Sequence, residues 1–431
     1  MKASYGMGAL AGLVALAGCG GGDEETPAAA VWQGQHVETL KFADDDNSEV
    51  IKLLPDGTRA VLVASKSRKV TLLGVSAAGL TELRSVNLFA DDTSESELTH
   101  IDFDSAGRFA AVTRTKPIAT GGTLTDCQGS LVFVDVSDSA TFGTVLREVE
   151  VGPIPDTVDI SPDDRWVVTG DEKDVYDKCT IDGPVPSVTV IELPGADPAA
   201  ARVRARITMV SASADAPREP EQIIFAADSD RVAATLQDSH EVMFFRRSAL
   251  LDGAGDDIVE VGSDAVSIVR LPDRADGAEP WPDGIAAYVA GDGETYFVVT
   301  GEYNDVIYVL DAEGEVQGTV TVTDADVPGD FPRVGDGSDV RFRPDSVATF
   351  GYAGRRYAAV SLKHAGAVGV WDVSDPGDVY VASMVKVGFG EMGSTTSGST
   401  LGTEGISAHD SGVVVTANEG ESSASLVAPI E

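Results

Sequence analysis

The chain has 431 residues and a formal net charge of −39, set by 70 acids against 31 bases, of which only ten are lysine. That balance opposes nucleic-acid binding and adhesion to anionic lipid, and it repels anionic substrates over a Debye length of about 10 Å. Three cysteines exclude a cysteine-rich metal domain, and without a Cys-x-x-Cys-His motif there is no site for attached haem.

Residues 1–19 read as an export signal. Met1-Lys2 carries one positive charge, Gly8 to Leu16 is small and apolar, and Leu16-Ala17-Gly18-Cys19 has the pattern of a bacterial lipobox. An apolar stretch this short, closed by small residues, is exported rather than left spanning a bilayer. Cys19 is the expected lipidation site, and residues 20–30, opening on three glycines, form a flexible tether. Gly20, where an inner-membrane retention signal carries Asp, favours an outer-membrane address. The folded domain is expected over 31–431. Export permits disulfides, and Cys127 and Cys179 are the pair left to form one.

From residue 49 onward, alternating hydrophobicity divides the chain into seven similar units. The first starts at Glu49-Val50-Ile51 and the second at Thr99-His100-Ile101. The next four open on one signature, Pro, an acid, any residue, then Ile or Val. It occurs at Pro155-Asp156-Thr157-Val158, Pro220-Glu221-Gln222-Ile223, Pro282-Asp283-Gly284-Ile285 and Pro344-Asp345-Ser346-Val347. The seventh unit opens on the variant Thr403-Glu404-Gly405-Ile406, and the acids are spaced 65, 62, 62 and 59 residues apart. A period of this size with strand contents marks a repeat architecture. The last unit has room for three strands, and the segment Val37 to Phe42 is available as its fourth. The expected fold is therefore all-β, a seven-bladed β-propeller whose last blade is closed by the N-terminal strand. Ala199 to Ile207 is the best helical candidate.

Propeller geometry puts the strand-start acids on one rim of the central channel, together with the ends of the second strands. Those ends read Lys66, Arg114, Asp171-Glu172, Gln237-Asp238, Glu302, Lys363-His364 and Asn418-Glu419. These residues resemble the choice-of-anchor I family of exported propellers over 152–194, 219–245, 281–310 and 341 to the C-terminus. The most similar segments are Pro155 to Asp163, Pro282 to Tyr288 and Val415 to Glu421. The resemblance implies an exported propeller with no settled catalytic activity of its own. Where that family often carries Ala-Asn-Glu-Gly, this chain has Gly170-Asp171-Glu172 and Gly301-Glu302, which keep the acid and lose the amide; Asn418-Glu419-Gly420 keeps both.

The candidate site is the acidic rim: Asp156, Glu221, Asp283, Asp345 and Glu404, with Glu172, Asp238, Glu302 and Glu419 behind them. Oxygen-rich clusters suit hard cations, above all Ca²⁺, and packed carboxylates without a cation raise each other's pKa. The alternative is structural, with the acids capping backbone N–H groups around a wet channel. Lys66, Arg114 and His100 form a basic break in the rim, available either to orient a ligand or to make local salt bridges. His364 is the one acid/base candidate. Trp281, just before Pro282-Asp283, is a candidate ligand platform, whereas Trp166 and Trp371 belong to strands. No Gly-x-Ser-x-Gly, Walker loop or His-Glu-x-x-His occurs, so nucleophilic hydrolysis and nucleotide binding lack support. The expected function is a monomeric, lipid-anchored binding or scaffold module for an envelope protein or small extracellular ligand. A Ca²⁺-dependent hydrolase of esters, lactones or phosphoesters is the alternative.

Overall fold

Seven sheets, six of four antiparallel strands and one of five, follow one another around a central channel in the computed structural model. It describes residues 31–42, 48–92, 94–120, 123–137, 140–172, 185–210, 216–331, 342–387, 402–419 and 422–430. The predicted signal, Cys19, the tether and Cys179 lie outside the described residues; Cys127 is buried. No helix among the described residues is long and apolar enough to cross a membrane.

The innermost strands of blades 1 to 7 are Ser48–Leu53, Glu97–Phe103, Ile154–Ile160, Pro220–Phe225, Pro282–Val289, Pro344–Tyr352 and Thr403–Ala408. Each later strand of a blade pairs outward from the one before it. Both faces of a blade pack against neighbouring blades, which is why the middle strands are continuous aliphatic runs such as Arg59–Ala64 and Val306–Asp311. The core is accordingly split into seven clusters, one between each pair of adjacent blades.

The N-terminal strand Gly34–Lys41 closes the ring by pairing antiparallel with Ser423–Pro429, from Gly34 opposite Pro429 to Lys41 opposite Ser423. Trp32 pins this closure. It is fully buried, its indole Nε1 donates to the Gly412 carbonyl at 3.1 Å, and its backbone N–H donates to the Tyr357 hydroxyl at 3.0 Å.

The helix expected over Ala199 to Ile207 is not formed. A single 3₁₀ turn, Pro198–Ala200, leads into the strand Arg202–Thr208. This strand pairs with Ser187–Glu192, and its Ala205 and Ile207 enter the blade 3 core two residues apart. The ladder's period of two overrides local helix propensity here. Blade 3 also gains a fifth strand, Val259–Gly262, running parallel to Arg202–Thr208. The chain supplies it from an excursion of blade 4 that includes the short helix Arg247–Leu251. Trp371 is core, but Trp166 is only part-buried and lies 4.3 Å beneath the Arg247 guanidinium.

Candidate functional site

The repeated signature is a β-bulge. In every blade the register between the first two strands slips at the same place. The slips fall between Ser48 and Val50, Leu98 and Ile101, Pro155 and Thr157, and Pro220 and Ile223. They recur between Pro282 and Ile285, Pro344 and Val347, and Thr403 and Ile406. A bulge adds an unpaired residue and re-aims its side chain. The proline fits because the innermost strand is an edge strand, whose missing N–H costs no ladder bond on the channel side. The acid is thereby turned into the channel mouth instead of alternating along the strand.

Hydroxyls on the second strands hold the bulges in place. The Thr300 Oγ1 hydroxyl donates to the Asp345 carbonyl of the next blade and accepts from Gly284 N–H at 2.8 Å. Thr235 repeats this, donating to the Asp283 carbonyl at 2.6 Å and accepting from Gln222 N–H at 2.9 Å. In blade 2 the staple comes from the bulge itself, with Thr99 Oγ1 donating to the Pro155 carbonyl at 2.6 Å. Gly284 is required by close approach, because a Cβ there would lie 2.4 Å from the Asp345 carbonyl oxygen.

Glu49, Asp156, Glu221, Asp283, Glu302, Asp345 and Glu404 line one mouth of about 230 Å³, shared with Thr99, His100, Gln237, Arg343 and Lys363. Two groups of three carboxylates, Asp156 and Glu221 with Glu172 behind them, and Asp283, Glu302 and Asp345, have ligand atoms that all lie within 4.8 Å of one another. The second group is already satisfied. Arg343 Nε donates to Glu302, and Lys363 bridges Glu404 and Asp345, the latter at 3.7 Å. Gln237 Nε2 donates to Glu302 at 3.1 Å and to Asp283 at 3.3 Å.

The first group is different. Burial, then the charges of Glu221 and Asp156, push the Glu172 carboxyl well above its usual range. Burial and Asp156 do the same to Glu221, and burial with Asp345 lifts Asp156 to about 7. Glu172 hydrogen-bonds Glu221, and among the described residues the leading influences on these three acids are burial and other carboxylates. Burial, then Asp156, raises Glu49 to about 8.

The remaining candidates divide. Asp238 and Glu419 stand behind the mouth and act through their charge, on Glu221 and Glu49 respectively. Trp281 packs edge-on to His240 and against Tyr303, both at 5.1 Å between ring centres, and does not line the mouth. His364 is buried in the turn Lys363–Ala365, with 1 % exposure. Of the expected basic break, Lys66 is exposed, while Arg114 is spent on Asp92 and on Glu148 at 3.1 Å and stacks 3.7 Å over Phe89. His100 alone of the three reaches the mouth.

A family profile described as the choice-of-anchor I domain matches residues 49–326, well over half the chain. The chain belongs to the choice-of-anchor I family. Membership carries a coarse address, that of an exported or cell-surface protein. No curated protein matches the sequence. The choice-of-anchor I propeller is similar in fold to the WD40 repeats of RRP9, at TM-score 0.59 and 9 % identity over 93 % of this chain and 100 % of that one. It is similar to hydrazine synthase of Kuenenia stuttgartiensis, at TM-score 0.56 and 14 % identity over 90 % and 96 %. It is also similar to virginiamycin B lyase from Staphylococcus aureus, at TM-score 0.53 and 11 % identity over 91 % and 99 %. At these identities the likeness is one of fold.

Sequence reasoning placed Lys363 on the rim without giving it a carboxylate partner and did not name Arg343, and these two residues neutralise one half of the mouth. Lys363 was visible only as the end of a strand. Arg343 was missed, although it directly precedes Pro344-Asp345 as Trp281 precedes Pro282-Asp283. Both are forced into the left-handed region, with φ of 55° and 45°. The two stapling threonines carried a signal of their own: Thr235 and Thr300 stand at a place where a hydroxyl recurs in six units, as Thr113, Thr169, Ser361 and Thr416 in the other four.

Proposed function

We propose that this propeller is a binding module of the cell envelope, anchored by lipid at Cys19, whose mouth holds a Ca²⁺ ion on Asp156, Glu172 and Glu221. One observation carries the reading: of two similar carboxylate groups, one is neutralised by Arg343 and Lys363, while the acids of the other are raised by burial and by one another and make no ion pair with a basic side chain among the described residues. Three carboxylates beside Glu49 supply the all-oxygen, multidentate set that Ca²⁺ takes. Bound Ca²⁺ would displace the proton that Glu172 shares with Glu221 and tie blade 3 to blade 4. A small extracellular ligand or an envelope protein would then meet a rim of reduced charge. The hydrolase alternative needs a base within reach of the ion. His364 lies inside the wall, and burial, with the nearby charge of Lys52, holds His100 at about 3, so the binding reading is preferred.

Thermal melts in EDTA and in millimolar Ca²⁺, with Mg²⁺ and matched NaCl as controls, test the ion. Ligand at 100 times its dissociation constant adds about 2.7 kcal/mol. The expected result is a Ca²⁺-specific rise abolished by Asp156→Asn and Glu221→Gln and retained in Asp283→Asn. A rise no larger than the NaCl control would leave the acids structural.

A further inference from the structure

Below the mouth the channel changes character. The residue after each bulged acid forms a neck, lined by Val50, His100, Gln222 and Ser346 among others and common to the mouth and the space beneath it. Gln222 narrows this neck. Its Nε2 donates to Ser346 Oγ at 3.2 Å, reaching from blade 4 to blade 6 past the bare Gly284, and its Oε1 accepts from Ile285 N–H at 3.3 Å.

Beneath lies a chamber of about 210 Å³ with two unlike walls. Blades 4 to 6 contribute Ile224, Ala286 and Ala348, whereas blades 1 to 3 contribute Lys52, His100 and Asp159. Two carboxylates on the polar side already have structural work. Asp102 Oδ2 accepts from Ile160 N–H at 2.8 Å, and Asp159 Oδ2 accepts from Phe225 N–H at 2.7 Å, each capping the free edge of the next blade. Lys52 and His100 are not used up in this way. The Lys52 ammonium, with three donors, has one ion pair, to Asp102 at 3.4 Å. His100 Nδ1 is buried without a hydrogen-bond partner. That nitrogen is closed off from the chamber as well as from solvent, so the spare donors of Lys52 are the ones a molecule in the chamber can meet.

We infer that this chamber is a second binding site, for a small uncharged molecule with a carbonyl or hydroxyl on a short aliphatic body. The charges on the page exclude the other classes. A cation entering from the mouth meets Lys52, and an anion must pass the mouth carboxylates and then face Asp159. A neutral acceptor takes a hydrogen bond from the Lys52 ammonium while its aliphatic end covers Ile224, Ala286 and Ala348. At about 30 Å³ per water in the liquid, the space corresponds to roughly seven waters, the scale of a molecule of about six to ten heavy atoms. The inference does not rest on the mouth holding Ca²⁺; the two sites are separated by the neck.

Ligand-observed saturation-transfer NMR on the full-length protein tests it, with isobutyramide as probe and isobutyrate and isobutylammonium as charged counterparts of the same shape. Isobutyramide should bind at millimolar concentration, about tenfold more tightly than either ion. Ala286→Leu, which fills the chamber from its apolar wall, should abolish the transfer, and Ala348→Val should weaken it. Lys52→Met should weaken it several-fold, while Asp156→Asn and added Ca²⁺ should leave it unchanged. Absence of transfer from isobutyramide, or transfer that survives in a folded Ala286→Leu protein, overturns the chamber site whatever the Ca²⁺ melts show. Transfer only from isobutylammonium, lost in Asp156→Asn, also overturns it by assigning small-ligand binding to the mouth.

Discussion

Glu49 and Asp171 show how burial at single positions turns into pH dependence. The Glu49 carboxyl is raised to about 8 in the folded chain, against about 4.3 when unfolded. A raised carboxyl means that the native state binds the proton more tightly. The stability it contributes is therefore fully present below about pH 4 and is lost as pH rises towards 8. In EDTA the protein should melt at progressively lower temperature from pH 5 to pH 8. Glu49→Gln should flatten that fall and recover about 1–2 kcal/mol at pH 8; identical pH slopes for the two proteins would show that the charge is not felt. Asp171 is wholly buried and accepts from Thr169 at 2.7 Å, Ser187 at 2.9 Å and Thr189 at 2.6 Å, yet burial still lifts it to about 6. At the matching place in blade 7, Asn418 bonds four hydroxyls without a charge, donating to Ser423 and Ser425 and accepting from Thr403 and Thr416. Asp171→Asn should thus gain stability relative to the parent as pH rises from 4 to 6 and hold the gain above. Urea midpoints at pH 5 and pH 8 measure it, and a difference that does not change with pH would rule out the charge as its cause.

At the scale of the element, the bulge and its hydroxyl staple form one device. The bulge aims the acid, and the staple fixes the aim by binding the acid's own carbonyl from the preceding blade. Thr300→Val removes the bond to the Asp345 carbonyl and strands the Gly284 N–H, a loss of about 1–3 kcal/mol. Thr300→Ser keeps the hydroxyl and should recover most of it in denaturant titrations; equal losses in the two variants would put the effect down to packing. This device explains which part of the site was legible beforehand. Pro-acid-x-Ile/Val marks the bulge in four blades, so the positions of Asp156, Glu221, Asp283 and Asp345 could be read directly. The partition of their charges could not, because which carboxylates Arg343 and Lys363 reach is set by distances across the channel. Trp281 shows the converse: its place next to Pro282-Asp283 is read correctly, but a left-handed backbone carries its ring towards His240 and Tyr303.

For the whole molecule, stability depends on closing the ring. The strand Gly34–Lys41 and Trp32 cover what would otherwise be the open edge of blade 7. Deleting residues 31–42 should therefore cost more than the contacts of one strand. We expect loss of the single cooperative transition in calorimetry and concentration-dependent association in size-exclusion chromatography. A deletion variant that stays monomeric and melts within a few degrees of the parent would show that seven blades hold without the clasp. The same closure makes the mouth a shared property, with carboxylates from six blades meeting on one axis.

The repeat, the number of blades, the strand that closes them and the row of acids at the channel can all be read along the chain, because each is a periodic pattern of hydrophobicity or turn chemistry. The segment from Ala199 to Ile207 was misjudged, since a ladder partner decides there between helix and strand. Which carboxylates are neutralised, which histidine faces the channel and which lies in the wall, and the two-sided chamber under the mouth emerge from the folded arrangement alone. Those outcomes depend on distances between side chains that stand tens of residues apart along the chain, and charge and burial act through space, where such separations close to a few ångströms.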